Sequence, residues 1–188
     1  MNEMTDLVIQ DATEKMSKAV AHARSEFATV RTGRASSAFV EKLPVEAYGV
    51  EMKLQELASF SIPEARQLVI TPHDQSTMGA IEKAIRNADL GLNPSNDGRS
   101  IRLNFPHPTE QRRRELGKMV DGMAEEAKIA IRGVRRHARR ELEDLQKAGD
   151  LSEDELTRAE KELDKLTHQY EAEVDAARAK KVEELLEV

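Results

Sequence analysis

TEQRRRELGKMVDGMAEEAKIAIRGVRRHARRELEDLQKAG, residues 109–149, is the stretch that decides the fold. Apolar residues recur in it at steps of three and four, which predicts one long amphipathic helix with a narrow apolar stripe. We expect Thr109 to cap the start of this helix and Gly149 to end it. The predicted stripe comprises Leu116, Val120, Met123, Ala127, Ala130, Val134, Ala138, Leu142 and Leu145. A helix with a single apolar stripe is not stable alone in water, so this one needs partner helices.

Two partner helices are predicted, one on each side in the sequence. The first has the same period in Ile9, Ala12, Met16, Val20, Ala23, Phe27 and Val30, and its pattern ends at residues 31–34. The other opens with the clearest local signal in the chain, a capping box of Ser152 and Glu155 with Leu151 and Leu156 as the hydrophobic staple. The shared period predicts that the three helices pack as one bundle.

Residues 35–105 have a different character, with short runs separated by Pro and Gly. Strands are predicted at 45–48, 50–54, 67–71 and 100–105, and an amphipathic helix at 76–88. The predicted fold class is therefore α+β, an elongated three-helix bundle (residues 1–30 and 109–188) with an inserted small β/α/β domain (31–108).

Two linkers join the predicted domains, at residues 31–34 and 106–108. They contain Gly33, Pro106 and Pro108, and linkers with these residue types are typical of a hinge. A rigid junction is an equally open interpretation, because Pro also stiffens the chain. Arg31 and Arg34 lie beside the first linker and are a weaker sign of function, since either residue could simply cap a helix end.

Composition excludes several classes of protein. The 188 residues contain no Cys, which excludes disulfides, thiolate nucleophiles and Cys-based zinc sites, and no stretch approaches a membrane span. The N-terminus lacks the apolar core of a signal peptide, so we expect a cytoplasmic protein with no membrane partner. No phosphate-binding loop, metal-ligand spacing or nucleophile–base pair is present, so we predict a binding protein without catalytic residues, metal or cofactor.

Charge is distributed unevenly along the chain. The net charge is −6, but residues 112–140 hold ten Lys or Arg against four Asp or Glu, while residues 141–188 hold seven against sixteen. Local charge governs how a polyanion binds, because binding releases the counterions condensed on it. A nucleic acid is therefore expected to approach the middle helix and to be repelled by the third.

A basic ridge on the middle helix is the leading candidate site. Lys128, Arg132, Arg135 and Arg139 are spaced by four, three and four residues, and Arg136 extends the face together with Arg140. Arginine suits phosphate because its planar guanidinium donates in a fork. The ridge could instead pair with the acidic third helix (Glu160, Glu162, Asp164), or the protein could be a scaffold for an acidic partner. RNA is preferred because no Asp or Glu lies between Lys128 and Arg140 to neutralise the ridge within its own helix.

A second basic run, Arg112 to Arg114, lies in the first turn of the same helix. Cations are poorly placed beside a helix N-terminus. An external anion, or a nearby carboxylate such as that of Glu110, is therefore expected to compensate for the run.

Several stretches, in order, resemble the ribosome recycling factor family. They are Arg31-Thr32-Gly33-Arg34-Ala35-Ser36, residues 88–94, residues 101–106, residues 108–113, and Ile131-Arg132-Gly133-Val134-Arg135-Arg136. The resemblance runs from about residue 5 to the C-terminus, with the motifs in the same order. Gly133 stands where the family usually has Asn, and Gln111 where it usually has Glu.

The resemblance implies an L-shaped, hinged molecule that acts after termination as a monomer. Its implied partners are the large ribosomal subunit, through ribosomal RNA, and elongation factor G with GTP, with which it would split the subunits and release messenger and transfer RNA. Arg132 becomes the leading RNA contact, supported by Lys128, Arg135, Arg136 and Arg139. Arg31 and Gly33 fall at the family's hinge signature.

Overall fold

The structure, a computed structural model, describes residues 3–186 in two units. The first unit holds the chain up to Arg31 and from Glu110 onward, and the second is Thr32–Thr109. The first consists of three long helices, α1 (Glu3–Thr29), α4 (Glu110–Lys147) and α5 (Glu153–Leu186). The predicted fold class, a helix bundle with an inserted β/α/β domain, is confirmed.

The bundle core is one continuous apolar cluster built from a stripe on each helix. Pairwise packing of α1, α4 and α5 buries it. Because the stripes contain mostly small and medium side chains, each helix keeps a wide polar face. Fully buried members include Met16, Val120, Ile131, Leu142, Ala159 and Val174.

One prediction about the stripe of α4 is wrong. Ala130 is exposed, whereas Ala124 and Ile131 are buried. Steps of three and of four both fit a helix of 3.6 residues per turn, and the larger Ile131 gains more by leaving water than Ala130 does. With this correction, Lys128, Arg132, Arg135 and Arg139 of the basic ridge each directly follow a core position.

A short turn joins α4 to α5. Gly149 has φ +86. The Gly149 N–H donates to the Gln146 carbonyl, and the Asp150 N–H donates to the Leu145 carbonyl. These features are those of a Schellman motif at the end of α4. The predicted capping box then starts α5. The Ser152 N–H donates to Glu155 Oε2 at 2.9 Å, and the Glu155 N–H donates to Ser152 Oγ at 3.3 Å. Both ends of the turn are therefore fixed by local sequence.

The second unit contains two antiparallel sheets and a helix. Strands β1 (Pro44–Ala47) and β2 (Val50–Lys53) form a hairpin, followed by the short helix α2 (Leu54–Leu57). The other sheet has the order β3-β4-β6-β5, from β3 (Ala58–Glu64), β4 (Gln67–Pro72), β5 (Pro94–Asn96) and β6 (Ile101–Asn104), with α3 (Met78–Asn87) between β4 and β5. The core of this unit includes Leu54, Leu68, Ile70, Ile81 and Ile101.

Two strands were not predicted, β3 and β5, and they form the two edges of the larger sheet. β3 contains Pro63 and is mostly exposed, while β5 has three residues and begins with Pro94. Edge strands tolerate Pro because one side makes no ladder hydrogen bonds. For the same reason they lack the apolar alternation by which a strand is recognised in sequence.

Candidate nucleic-acid interface

The basic ridge lies along one flank of the α4 core stripe. Lys128, Arg132, Arg135 and Arg139 each follow a core-cluster residue, namely Ala127, Ile131, Val134 and Ala138. One position along an α-helix is a rotation of about 100°, so these four side chains border the seam between α4 and a neighbouring helix. We call these four cations the paired ridge.

Each cation of the paired ridge forms an ion pair with a carboxylate of α5. The N···O distances are 2.5 Å from Lys128 to Asp175, 2.8 Å from Arg132 to Glu171, 2.7 Å from Arg135 to Asp164 and 3.0 Å from Arg139 to Glu160. We call these carboxylates the acidic stripe. Pairing with the third helix was the alternative weighed against RNA binding, and two of its three named acids, Glu160 and Asp164, do pair.

Neutralisation also occurs within α4, contrary to the expectation from sequence. Glu125 lies 3.4 Å from Arg132 and Glu143 lies 3.3 Å from Arg139. No acid lies between Lys128 and Arg140, but these two lie just beyond that interval and long side chains reach them. The hydrogen bond from Arg132 to Glu171 raises the pKa of Arg132 further above its ordinary value, so this guanidinium stays charged.

These ion pairs leave the ridge accessible to a ligand. The side chains of Arg132 and Arg139 are 48% and 50% exposed. Exposed ion pairs of this kind contribute little to stability, because water screens them and holding two long side chains together costs entropy. A guanidinium also has five N–H donors, and Arg135 uses Nη2 for its carboxylate. The paired ridge can therefore exchange a carboxylate for a phosphate.

Arg136 and Arg140 form an outer pair of cations. Both are exposed, and neither makes an ion pair with any residue in the described range 3–186. Each lies two positions after a core residue, so it points about 200° away from the stripe and out of reach of α5. We call Arg136 and Arg140 the open pair. They are the guanidinium groups of the predicted site that are ready for an external anion.

Gly133 lies in the same outward line as the open pair. A Cβ atom built on Gly133 would meet no atom within 4 Å, so no neighbouring group requires glycine there. The position leaves a bare stretch of helix backbone beside Arg136. A ligand can approach the helix axis more closely here than over any side chain.

The second basic run, Arg112 to Arg114, is compensated by nearby carboxylates, which was one of the two alternatives expected from the sequence. Arg114 pairs with Glu110 at 2.5 Å and Arg112 with Glu115 at 3.1 Å. Gln111 also donates to Glu115 at 3.3 Å. The carboxylates of this first turn offset the unfavourable position of the cations beside the helix N-terminus.

The two predicted linkers touch inside the second unit. Gly33 has φ +83, a left-handed conformation that favours glycine. A Cβ on Gly33 would lie 2.8 Å from Cδ of Pro108 and 3.6 Å from the Pro106 carbonyl oxygen. Arg31 and Arg34 are both exposed on either side of this position. Glycine is thus required at 33 both by the backbone angle and by the close approach of the returning chain.

Substituting Gly33 with Ala is expected to destabilise the second unit by about 1–3 kcal/mol, from left-handed strain and from the clash with Pro108. Gly91→Ala is a matched control, because Gly91 has φ +69 but open space around its Cβ. Amide exchange at the buried strands β4 and β6 reports the stability of this unit. Equal losses for the two variants would mean that the contact with Pro108 contributes nothing.

Residues 3–186 offer no group of three His, Asp or Glu side chains that could hold a metal ion. None of the helices in this range is both long and apolar enough to cross a membrane.

Comparisons with known proteins agree with each other. The family model for ribosome recycling factor matches residues 23–186. The ribosome-recycling factors of Acidothermus cellulolyticus and Frankia alni are 51% and 50% identical over 185 residues, which is 98% of this chain and 100% of each relative.

Solved structures show the same likeness. A solution structure of a ribosome recycling factor is 40% identical and superposes with a TM-score of 0.74, covering 100% of both chains. The T. thermophilus ribosome recycling factor, in models with the E. coli elongation factor G bound to the E. coli post-termination complex, is 41% identical. It has a TM-score of 0.63 and covers 99% of this chain and 100% of that one.

A helix bundle with a basic ridge on α4, an α/β insert and these relatives together define a translation factor that acts without catalysing a reaction. Its motifs, two units and helix order are all accounted for by one family. The chain belongs to the ribosome recycling factor family.

Proposed function

We propose that this protein binds the post-termination ribosome through the outward face of α4 and recycles it. With elongation factor G and GTP, it separates the subunits and releases messenger and transfer RNA for a new round of translation. Its action takes place in the cytoplasm. Family membership supports the activity, and the open pair Arg136 and Arg140 supports the place of contact.

The RNA-facing surface combines two kinds of cation. The open pair supplies guanidinium groups without carboxylate partners, and the paired ridge adds four cations that exchange partners easily. Lys128 is only 20% exposed, so it contributes more to the positive electrostatic potential of the surface than to direct contact with RNA. Phosphate recognition by such a surface positions the protein on RNA without reading sequence.

The two linkers support a second element of the proposal, a hinge at residues 31–34 and 106–108. Gly33 turns the chain with a left-handed backbone angle that other residues rarely adopt, and Pro106 and Pro108 restrict the returning chain, so bending is confined to a short segment. A Gly33→Ala variant that folds is expected to bind ribosomes and split them more slowly than the Gly91→Ala control.

Subunit splitting is the direct test. Post-termination ribosomes are incubated with the protein alone, with elongation factor G and GTP alone, and with all three, and the separated subunits are measured by light scattering. We expect rapid splitting when all three are present, because the GTPase supplies the energy that a binding protein lacks. Splitting by elongation factor G and GTP at the same rate without the protein would contradict the proposed function.

A further inference from the structure

We propose that the acidic stripe of α5 is a built-in competitor of RNA phosphate, which keeps every cation of the paired ridge paired with a carboxylate and limits how tightly the protein binds. This inference rests on the proposed function, because it assumes that the ridge meets RNA. The acids concerned are Glu160, Asp164, Glu171 and Asp175, of which Glu160 and Asp164 were named from sequence as possible partners of the ridge and Glu171 and Asp175 were not.

The register of α4 against α5 places one carboxylate of the acidic stripe beside each cation of the paired ridge. Along α4 the paired cations advance by four, three and four residues, and their partners on α5 recede by four, seven and four. Steps of three, four and seven keep residues on one face of a helix, so the antiparallel helices match cation to carboxylate along the whole ridge. At the next pair along the seam, Asp121 of α4 and Arg178 of α5 at 2.5 Å, the charges are reversed. The uniform polarity therefore ends at Lys128 on this side of the ridge.

Exposure shows which partner an incoming phosphate meets first. Arg132 is 48% exposed and its partner Glu171 only 20%, and Arg139 is 50% exposed and Glu160 27%. In these two pairs the carboxylate lies deeper in the seam and the guanidinium above it. In the other two pairs the carboxylate is the more exposed partner, with Asp175 at 50% against 20% for Lys128 and Asp164 at 49% against 38% for Arg135. A phosphate can therefore bind Arg132 or Arg139 from outside before the internal ion pair opens.

Carboxylate and phosphate oxygens compete for the same donors, because both groups can accept two parallel N–H bonds from one guanidinium. Each phosphate contact on the paired ridge must therefore replace or share a carboxylate, whereas a contact on the open pair replaces water. The stripe also stays close to the bound phosphate and repels it. Its carboxylates are positioning residues that lower affinity and speed release, which suits a factor that must leave after each round.

Glu171→Gln removes one competing charge with little change of shape, and Glu162→Gln is the matched control. Glu162 lies on the same helix and makes no ion pair with any residue the structure describes, so both variants change the net charge equally. Binding to purified bacterial large ribosomal subunits is measured at several salt concentrations. We expect Glu171→Gln to bind about threefold more tightly with a slower off-rate, and Glu162→Gln to stay within about 1.5-fold of wild type.

A double-mutant cycle shows whether the gain acts through the ridge. In an Arg132→Ala background, Glu171→Gln is expected to lose most of its gain, since the cation for which it competes is gone. The inference is overturned if Glu171→Gln fails to tighten binding, if Glu162→Gln tightens it equally, or if the gain persists without Arg132.

Failure of the inference is distinguishable from failure of the proposed function. If Arg132→Ala and the Arg136→Ala/Arg140→Ala variant weaken subunit binding while Glu171→Gln changes nothing, the ridge binds RNA and only the competition is wrong. If none of these arginine variants weakens binding, the RNA site itself is wrong, and the inference falls with it. Helical circular dichroism confirms that each variant is folded.

Discussion

Replacing Arg136 and Arg140 together by Ala is expected to weaken binding to the large ribosomal subunit on the order of 100-fold at low salt. Both guanidinium groups are exposed and make no ion pair within residues 3–186, so their removal opens no internal contact. A hydrogen bond to a charged group contributes about 1.5–3 kcal/mol, and two losses at the lower end of that range give an effect of this size. The slope of log affinity against log salt should become shallower by about two.

Lys161→Ala/Lys165→Ala is the control for this effect. Both lysines are exposed on α5 and lie on no predicted RNA-binding surface, so the variant removes the same charge from the same bundle. We expect its affinity to stay within a few-fold of wild type. If the two double variants lost affinity equally, the interaction would depend on net charge and not on the open pair. Undiminished binding by the arginine variant, with loss of an acidic protein partner, would favour the scaffold interpretation.

Ile131→Ala is expected to destabilise the helix bundle by about 2–5 kcal/mol and to lower its thermal midpoint by roughly 5–20 °C. Ile131 is fully buried in the middle of α4, where it contributes to the cluster shared by the three helices. Truncation removes its apolar contacts and leaves a cavity that rigid neighbouring helices fill only in part. Thermal unfolding followed by helical circular dichroism measures the loss.

Ile129→Ala is the matched control for that prediction, with the same substitution two residues away on the same helix. Its side chain is 54% exposed, so the expected change in unfolding free energy is within about 0.5 kcal/mol of zero. A similar loss in both variants would mean that burial in the shared core does not determine the effect, since Ala has the higher helix propensity and propensity alone would stabilise both variants.

Much of the fold could be predicted from sequence, because long helices with one apolar stripe repeat their signal over many turns. The capping box at Ser152 and the helix end at Gly149 are equally local and are confirmed. The edge strands β3 and β5 could not be predicted, since their pairing depends on neighbours distant in sequence. The core position predicted for Ala130 is occupied by Ile131. This shows the same limit, because both residues fit the helical period and only packing distinguishes them.

The candidate site was predicted less completely than the fold. Clustering of cations on one helix is visible in the sequence, and the arrangement of Lys128, Arg132, Arg135 and Arg139 on one flank follows from their spacing. Which of them meet carboxylates depends on how α5 lies against α4, and spacing within one helix carries no information on that. The distinction between the paired ridge and the open pair is therefore a result of the structure. The role of these residues in RNA binding stays a prediction.

The short turn at residues 148–152 also has a consequence for the order of folding. It brings α4 and α5 together by closing a loop of a few residues, so the hairpin is a local, low-contact-order unit. Docking of α1 must instead close a loop of residues 30–109. If that loop is still unfolded, closing it costs about 2 kcal/mol more in chain entropy than closing the turn between α4 and α5. The α4–α5 hairpin is thus the natural nucleus of the bundle, and α1 joins it late, once the intervening domain has collapsed and shortened the distance its ends must span.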